Sequence, residues 1–165
     1  MKYLEVKIND AAAIKELSDL AVKILREHYD PIVGVTQNDY MLCKFQSVSS
    51  ITEQLKNGYI YYFVCDLSGN KLGFLAYYPR KDDMYLSKFY LLKEQRGKGI
   101  SKDMLQFVIE KTKEAGLSSI VLNVNKKNSA IKAYEKLGFI KIGEEKNDIG
   151  NGYFMDDFVY KYCIN

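Results

Sequence analysis

The segment RGKGIS at residues 96–101 decides how this sequence is interpreted. It lies between a strand-like segment at residues 84–92 and an amphipathic helix predicted over residues 101–115. Glycine lets the backbone turn tightly and come close to a ligand, and the free N–H groups at a helix start, together with the helix dipole, favour an anion. The segment therefore predicts a cradle for a phosphate or pyrophosphate, and a helix start that merely contains glycine is the alternative. The neighbouring cations are Arg96, Lys98 and Lys102.

The spacing of the two glycines argues against two common nucleotide-binding motifs. A Walker loop needs Gly-x4-Gly-Lys-Ser/Thr, and the glycines here are too close together for it. A Rossmann loop needs a third glycine three residues after the second, where this chain has Lys102. Mononucleotide hydrolysis and dinucleotide binding are therefore not expected.

Hydrophobic periodicity on both sides of the loop predicts a mixed α/β protein. Helices are expected from Asp10 to about Tyr29 with Pro31 as the stop, over 36–46, from a Ser49 or Ser50 cap to near Gly58, over 101–115 and over 130–137. Strands are expected over residues 3–8, 59–66, 72–78, 84–92, 118–125, 139–144 and 153–162. Because hairpins are followed by a β-α-β unit, the sheet is expected to be mixed, with helices on its faces. The apolar helix faces expected in the core are Ile14, Leu17, Ala21, Ile24 and Leu25, and Met104, Leu105, Val108, Ile109 and Thr112.

Length and composition fit one globular domain over residues 1–165. Of the 165 residues, 47% are hydrophobic and 27% charged, so the chain is long enough to bury a sizeable core. No apolar run approaches the roughly 18 residues of a membrane span, and the first residues lack a long apolar stretch, so we expect neither a membrane segment nor a signal peptide. Three cysteines without framework spacing favour free thiols in a reducing cytoplasm, and no Cys/His cluster suggests a metal site.

The net charge of +3 hides an uneven distribution. Residues 86–146 hold 13 Lys and Arg against 7 Asp and Glu, an excess of +6, whereas residues 1–85 and 147–165 carry −1 and −2. A basic middle segment favours an anionic ligand, and scattered solvated lysines are the alternative. A nucleic-acid partner is not expected, because the flanks are acidic and no reader motif is present.

A second segment, AIKAYEKLGF at residues 130–139, gives the loop a family context. Together with Asn128 and the strand at 86–92, the two segments resemble the GCN5-related N-acetyltransferase (GNAT) family. LSKFY at 86–90 and DIGNGYFMDD at 148–157 are similar to a bacterial branch related to polyamine (spermine/spermidine) acetyltransferases. The resemblance implies the GNAT fold, with a central mixed, mostly antiparallel twisted sheet of about seven strands and helices on both faces.

The same resemblance implies a chemistry. It implies acetyl transfer from acetyl-CoA, without a metal, to a primary amine that attacks directly in a ternary complex. The expected acceptor is a small cationic amine such as a polyamine or diamine. We expect a cytoplasmic monomer or homodimer with no nucleic-acid or membrane partner.

Site residues are carried over from the family in the same way. The pyrophosphate is expected to be held by the backbone amides of Arg96, Gly97, Lys98, Gly99, Ile100 and Ser101. The pantetheine arm is expected to pair, like an added strand, with the backbone of Phe89, Tyr90 and Leu91. Asn128 is expected to hydrogen-bond the arm or nearby backbone, and Tyr134 to lie beside the sulfur as a donor to the leaving thiolate. Ser101 stands where the family usually has Gly or Ala. Asn128 lies six rather than seven residues before Tyr134, so Asn125 or Lys127 competes for its role.

The acceptor site and the general base are less defined by the sequence. An alkylammonium with a pKa of roughly 10.4 must lose a proton before it attacks, so a base or a water chain is needed. The candidate carboxylates are Glu144, Asp148, Asp156 and Asp157, and the expected acceptor-binding residues are His28, Tyr40, Glu144, Asp156 and Asp157. A helix-end role for the histidine, packing for the tyrosine and solvated turns for the carboxylates are the alternatives. Two rival functions stay open: acetylation of a protein N-terminus or lysine, and acetyl-CoA sensing without catalysis.

Overall fold

The computed structural model describes all 165 residues and contains five α-helices and seven strands. The helices are α1 (Ala11–Val33), α2 (Val35–Gln46), α3 (Val48–Lys56), α4 (Ile100–Glu114) and α5 (Ile131–Leu137). The strands are β1 (Lys2–Val6), β2 (Ile60–Cys65), β3 (Lys71–Pro79), β4 (Met84–Leu91), β5 (Ser119–Asn125), β6 (Ile140–Gly150) and β7 (Tyr153–Cys163).

The seven strands form one sheet in the order β1-β2-β3-β4-β5-β7-β6. The pairs β1–β2, β2–β3, β5–β7 and β6–β7 are antiparallel, whereas β4–β5 is parallel. Helix α4 connects the parallel pair, because parallel neighbours need a long crossover connection. The sheet is therefore mixed and mostly antiparallel, as the sequence predicted.

The chain divides into two compact units. Unit 1 comprises Met1–Tyr78 and Lys88–Asp103, and unit 2 comprises Pro79–Ser87 and Met104–Asn165. A single domain over residues 1–165 stays a prediction. None of the helices has both the length and the apolar character that a membrane crossing requires.

The core of unit 1 contains the predicted apolar face of α1. All five residues of that face are buried, and they belong to one cluster with Tyr61 and Phe63 of β2 and Phe74 of β3. Full burial of a leucine or isoleucine side chain contributes about 1.5–3 kcal/mol. This face therefore holds α1 against the strands of unit 1.

Helix α1 begins as predicted and ends later than predicted. The Asp10 carboxylate accepts a hydrogen bond from the Ala13 amide at 3.0 Å, which caps the first turn. Pro31 does not stop the helix, which continues to Val33 and ends at Gly34, where φ is 87°. A proline in the last turn of a helix removes only one backbone hydrogen bond. The resulting loss of helix stability is confined to that turn, where the helix is about to end.

Helix α3 has a different cap from the predicted Ser49 or Ser50. Its N-cap is Ser47, whose hydroxyl accepts a hydrogen bond from the Ser50 amide at 3.2 Å. Three serines, at positions 47, 49 and 50, offer equivalent caps in the sequence. Because α2 continues to Gln46, only the first serine remains outside both helices to act as the cap.

The core of unit 2 contains β5 and the buried face of α4. The five residues predicted for that face are all buried, and the buried Thr112 hydroxyl donates to the Val108 carbonyl at 2.7 Å. Ile120, Leu122 and Val124 of β5 are buried as well. Helix α4 thus brings the end of the 96–101 loop onto a rigid element.

Strand β6 extends well beyond the predicted residues 139–144. It pairs with β7 from Ile140 to Gly150. Its second half is polar and largely exposed, because β6 lies at the edge of the sheet. The alternation that marks a half-buried strand is therefore missing there.

Candidate functional site

The 96–101 loop in unit 1 has the backbone of an anion cradle. Gly97 and Gly99 adopt φ values of 74° and 79°, while Lys98 between them does not enter the left-handed region. Alternation of this kind turns successive N–H groups toward one concave side, which suits an anion. Only glycine enters this φ region without strain, so the two glycines of the motif are explained by their geometry.

One side chain of the loop holds it to the end of β4, and a second makes a local contact. The Arg96 guanidinium donates to the Leu91 carbonyl oxygen at 3.3 Å, and the Lys98 ammonium donates to Gln95 Oε1 at 3.3 Å. Ile100 is 7% exposed and anchors the first turn of α4. Arg96 thus ties the loop to β4, and Ile100 ties it to the core, while Gly97, Lys98 and Gly99 stay exposed.

Gly73 on β3 is a position that the sequence reasoning missed. A Cβ atom added there would overlap the Tyr90 carbonyl oxygen and come within 3.0 Å of Leu91 Cα. The backbone of β3 and β4 therefore approaches so closely that only glycine fits. An isolated glycine inside a strand pattern is the signal that could have identified it.

Aromatic side chains join the β4 residues to helix α1 within unit 1. The hydroxyl groups of Tyr29 and Tyr90 lie 3.3 Å apart, and the Tyr90 ring packs against Phe74 with centroids 5.5 Å apart. His28 makes an edge contact with Tyr29 at 4.8 Å. Because α1 continues past residue 29, His28 is a half-buried helical residue of this aromatic group rather than a helix-end residue.

Lys88 on β4 is the second residue that the sequence reasoning missed. Its ammonium lies 5.6 Å from the centroid of the Phe45 ring and forms no ion pair with any carboxylate within 4.0 Å. Burial lowers the pKa of Lys88 to about 8. The Lys44 ammonium lies 6.0 Å from the same ring and 5.9 Å from the ring of Tyr40. A lysine within the strand sequence LSKFY was the available signal.

In unit 2, the turn before α5 organises the predicted Asn128 and Tyr134. Asn128 is 5% exposed, and its side-chain oxygen accepts a hydrogen bond from the Ala130 amide at 2.8 Å. Tyr134 is half-buried on α5, and its ring makes an edge contact with Phe139 at 5.9 Å. Gly138, which has a φ of 107°, ends α5 between Tyr134 and Phe139. Asn128 therefore fixes the start of the helix that carries Tyr134.

Two of the candidate carboxylates in unit 2 already have cationic partners. The Lys126 ammonium lies 2.9 Å from Glu144 and 3.1 Å from Asp156. Its hydrogen bond to Glu144, followed by that to Asp156, raises the pKa of Lys126, and the bonds from Lys126 and Lys141 lower the pKa of Glu144. These acids are compensated within the protein.

The other two candidate carboxylates have different environments. Asp148 accepts a hydrogen bond from the Gly150 amide at 2.8 Å, which is a turn contact. Asp157 is 3% exposed, and burial raises its pKa to about 6. Its register partner Glu145 accepts a hydrogen bond from the side-chain Nδ2 of Asn123 at 2.9 Å. Asp157 is thus the buried carboxylate of the set.

The structure therefore groups the predicted residues by unit. In unit 1 it places the loop, the 89–91 backbone, His28 and Tyr40 around β4, α1 and α2. In unit 2 it places Asn128 with Tyr134, and the four carboxylates along β6 and β7.

Comparisons with known proteins identify the family of this chain. A model of the acetyltransferase (GNAT) domain matches residues 29–153, which is more than half of the chain. N-acetyltransferase family 8 member 2 of Rattus norvegicus is 27% identical over 108 residues, covering 61% of this chain and 48% of that protein. The chain spans about half the length of the curated relatives it matches.

Two solved structures share the fold. The PaiA N-acetyltransferase of Thermoplasma acidophilum, solved with coenzyme A, has a TM-score of 0.77 at 19% identity over 99% of both chains. A chimera of the Vibrio cholerae spermidine N-acetyltransferase has a TM-score of 0.66 at 16% identity over 99% of this chain and 96% of the other. At these identities the likeness concerns the fold alone, and it confirms the GNAT fold. Since the family model covers most of the sequence, including the loop and the α5 segment, this chain belongs to the GNAT acetyltransferase family.

Proposed function

We propose that this chain transfers an acetyl group from acetyl-CoA to a primary amine. The observation that carries the proposal is the 96–101 loop, which presents its amides in alternating conformation at the start of a 15-residue helix. Membership of the GNAT family supports the same function. A phosphate-binding loop and an acyl-transfer family together favour a phosphorylated acyl donor.

The residues of unit 1 suit acetyl-CoA as that donor. A Cβ atom added at Gly97 or Gly99 would meet no heavy atom within 4 Å, so the loop surface is open to a phosphate. The amides of residues 96–101 would hold the pyrophosphate, and the backbone of residues 89–91 would pair with the pantetheine arm. When bound, acetyl-CoA supplies the acetyl group as an activated thioester.

Tyr134 is proposed as the proton donor. Its hydroxyl would give a proton to the thiolate as the carbon–sulfur bond breaks, while a base takes the proton of the attacking amine. Asn128 would act by positioning, because its side-chain oxygen is engaged by the Ala130 amide at the start of α5. Asp157 is the candidate base whose raised pKa, about 6, suits proton transfer near neutral pH.

The identity of the amine is a separate question. A polyamine or diamine stays the prediction of the sequence resemblance, and the fold shared with a spermidine N-acetyltransferase chimera is compatible with it. Acetylation of a protein N-terminus or lysine is the enzymatic rival, and acetyl-CoA sensing is the non-catalytic one. A cytoplasmic location and a monomeric or homodimeric state are also predictions of the sequence.

Release of free thiol from acetyl-CoA tests the proposed function. Candidate acceptors are spermidine, putrescine, amino acids, aminoglycosides and short peptides. We expect turnover with at least one small amine. Tight binding of acetyl-CoA without thiol release from any acceptor would favour the sensor and contradict the proposal.

The variant Tyr134→Phe tests the proton donor. We expect kcat to fall about 100-fold with unchanged affinity for acetyl-CoA, because only the acid-base contribution is removed. Tyr153→Phe in β7 is the matched control and should keep its kcat. An unchanged kcat in Tyr134→Phe would show that the ring only packs against Phe139.

A further inference from the structure

Lys88 is a half-buried, positively charged residue on β4 that has no negatively charged partner. Its ammonium faces the Phe45 ring at 5.6 Å, and no carboxylate lies within 4.0 Å of it. Charged groups removed from water are normally paired, because an isolated charge loses its hydration without compensation. The absent pairing is reflected in its pKa, which is lowered to about 8 by burial, with no acid raising it.

A second unpaired ammonium approaches the same ring. Lys44 on α2 lies 6.0 Å from the Phe45 centroid, is exposed and has no ion pair either. Two like charges about one ring repel each other, and an anion between or beside them would relieve that repulsion. The arrangement is therefore typical of a place where an anionic group binds.

Phe45 and Lys44 also line a groove between α2 and α3. The groove has a volume of about 320 Å³, which is in the range of small-molecule sites. Tyr59 offers a hydroxyl group there, whereas the Ser50 hydroxyl already donates to the Cys43 carbonyl at 3.3 Å. Glu53 is the acidic residue of the lining. Glu53 pairs with neither lysine, so Lys44, which lines the groove, keeps its charge available to a ligand.

The position of Lys88 along β4 corresponds to the place where the acetyl group of bound acetyl-CoA is expected. This step rests on the proposed function. The pyrophosphate end of the donor would lie at residues 96–101, and the arm would run back along residues 91 to 89. Its acyl end would then reach the level of residue 88. Residue 88 lies three residues before Leu91, about 10 Å along a strand, so the donor's phosphates are too distant to pair with Lys88.

We propose that Lys88, assisted by Lys44, binds an anionic group of the acceptor, so that the acceptor is a primary amine that also carries a carboxylate. Amino acids and their small conjugates have this chemistry. A diamine or polyamine would instead bring a second positive charge toward an ammonium that already lacks a partner. The proposal therefore names an acceptor class different from the polyamine predicted from the sequence.

Matched acceptor pairs that differ only in the carboxylate provide the test. Ornithine is compared with putrescine, and lysine with cadaverine, by thiol release from acetyl-CoA. We expect the wild-type protein to prefer the carboxylate member of each pair in kcat/KM by at least about tenfold. Lys88→Gln should lower kcat/KM for the carboxylate member about 10- to 100-fold, as expected for a lost hydrogen bond between charged groups, and change it less than about threefold for the diamine.

Further variants separate a specific contact from a general defect. Lys88→Glu should reverse the preference toward putrescine and cadaverine, and Lys44→Gln should have a smaller effect than Lys88→Gln because Lys44 is exposed. Lys81→Gln, in the exposed turn before β4, is the matched control and should keep the wild-type preference. For each variant, an unchanged affinity for acetyl-CoA and an unchanged circular dichroism spectrum would confirm that the protein folds.

Two results would overturn the proposal. One is a wild-type preference for the diamines, and the other is an equal loss for both members of a pair in Lys88→Gln. If no acceptor is turned over, the proposed function fails, and calorimetric binding of ornithine and putrescine in the presence of coenzyme A then decides this proposal. Carboxylate-dependent binding that Lys88→Gln removes would support it, and equal binding of the two compounds would contradict it.

Discussion

Lys88 in unit 1 and Lys126 in unit 2 place an ammonium group in opposite environments. Lys126 contacts the carboxylates of Glu144 and Asp156, and these contacts raise its pKa. Lys88 contacts the Phe45 ring, has no carboxylate partner, and its pKa is lowered to about 8 by burial. Both lysines belong to the same basic stretch of the sequence, residues 86–146.

The difference shows that a charge count along the chain does not locate the available charge. The acidic residues predicted to attract a cationic acceptor, Glu144 and Asp156, are compensated within the fold by Lys126 and Lys141. Lys88, by contrast, has no carboxylate partner. Pairing, rather than the sum over a segment, therefore decides which ligand charge each region favours.

The largest effect is expected from a substitution that forces β3 and β4 apart. The close approach of these two strands supports β4, the strand that contains Lys88. Gly73→Ala should destabilise the protein by about 2–4 kcal/mol, because the new Cβ overlaps the Tyr90 carbonyl oxygen and the strands must separate. Urea unfolding measures this loss. Acetyl-CoA binding should weaken as well, since residues 89–91 shift.

Gly143→Ala in β6 is the matched control for this substitution. A Cβ atom at Gly143 would meet no heavy atom within 4 Å, and its φ is not positive. We expect a change within about 0.5 kcal/mol. Equal effects of the two substitutions would show that strand propensity, rather than the contact with β4, determines the loss.

The next effect in size concerns Asp157, the buried acid of unit 2. Its folded pKa of about 6 lies above the ordinary value of 3.8, so the charged carboxylate destabilises the fold above pH 6. Asp157→Asn should therefore stabilise the protein by about 2 kcal/mol at pH 7.5. The gain should shrink as the pH falls from 6 to 4, because the native carboxyl is then protonated. A gain of equal size at pH 3.5 and pH 7.5 would refute this explanation.

Much of the fold could be predicted from local sequence patterns. The 3.6-residue spacing from Ile14 to Leu25 identified the buried face of α1, and the two glycines at 97 and 99 identified the loop. These signals are local, because each depends on neighbours along the chain. The late end of α1 beyond Pro31 and the polar half of β6 were not predictable in this way, because helix packing and strand pairing override local preference there.

The candidate site was predictable only in its backbone elements. Gly73 and Lys88 matter through partners distant in sequence, Tyr90 and Phe45, and no local pattern reports those distances. Lys126 likewise lies 18 residues from Glu144. The pairing of charges depends on the register of the sheet, which the sequence alone did not provide.

A smaller effect on stability is expected from Lys88 itself. Its folded pKa of about 8 lies below the ordinary 10.5, so the buried charge destabilises the fold below pH 8. For a fully buried group this shift corresponds to about 3 kcal/mol, and for the half-buried Lys88 we expect Lys88→Met to gain about 1 kcal/mol at pH 7. The gain should fade between pH 8 and 10.5, where the wild-type protein itself becomes more stable. A loss of stability in Lys88→Met would mean that the lysine has a structural partner, and would weaken the case for ligand binding.

The smallest effect is expected from Lys126, and its sign should be the opposite. Lys126→Met removes the ion pair of Asp156 and one of the two ion pairs of Glu144, which keeps Lys141, so the melting temperature at pH 7 should fall slightly. Because these groups are exposed to solvent, added salt screens their attraction, and the difference should disappear at high ionic strength. The gain in Lys88→Met arises from desolvation, which salt does not screen, so it should persist in the same buffer. If both substitutions shifted the melting temperature in one direction and responded alike to salt, the presence or absence of a counter-charge would not distinguish the two lysines.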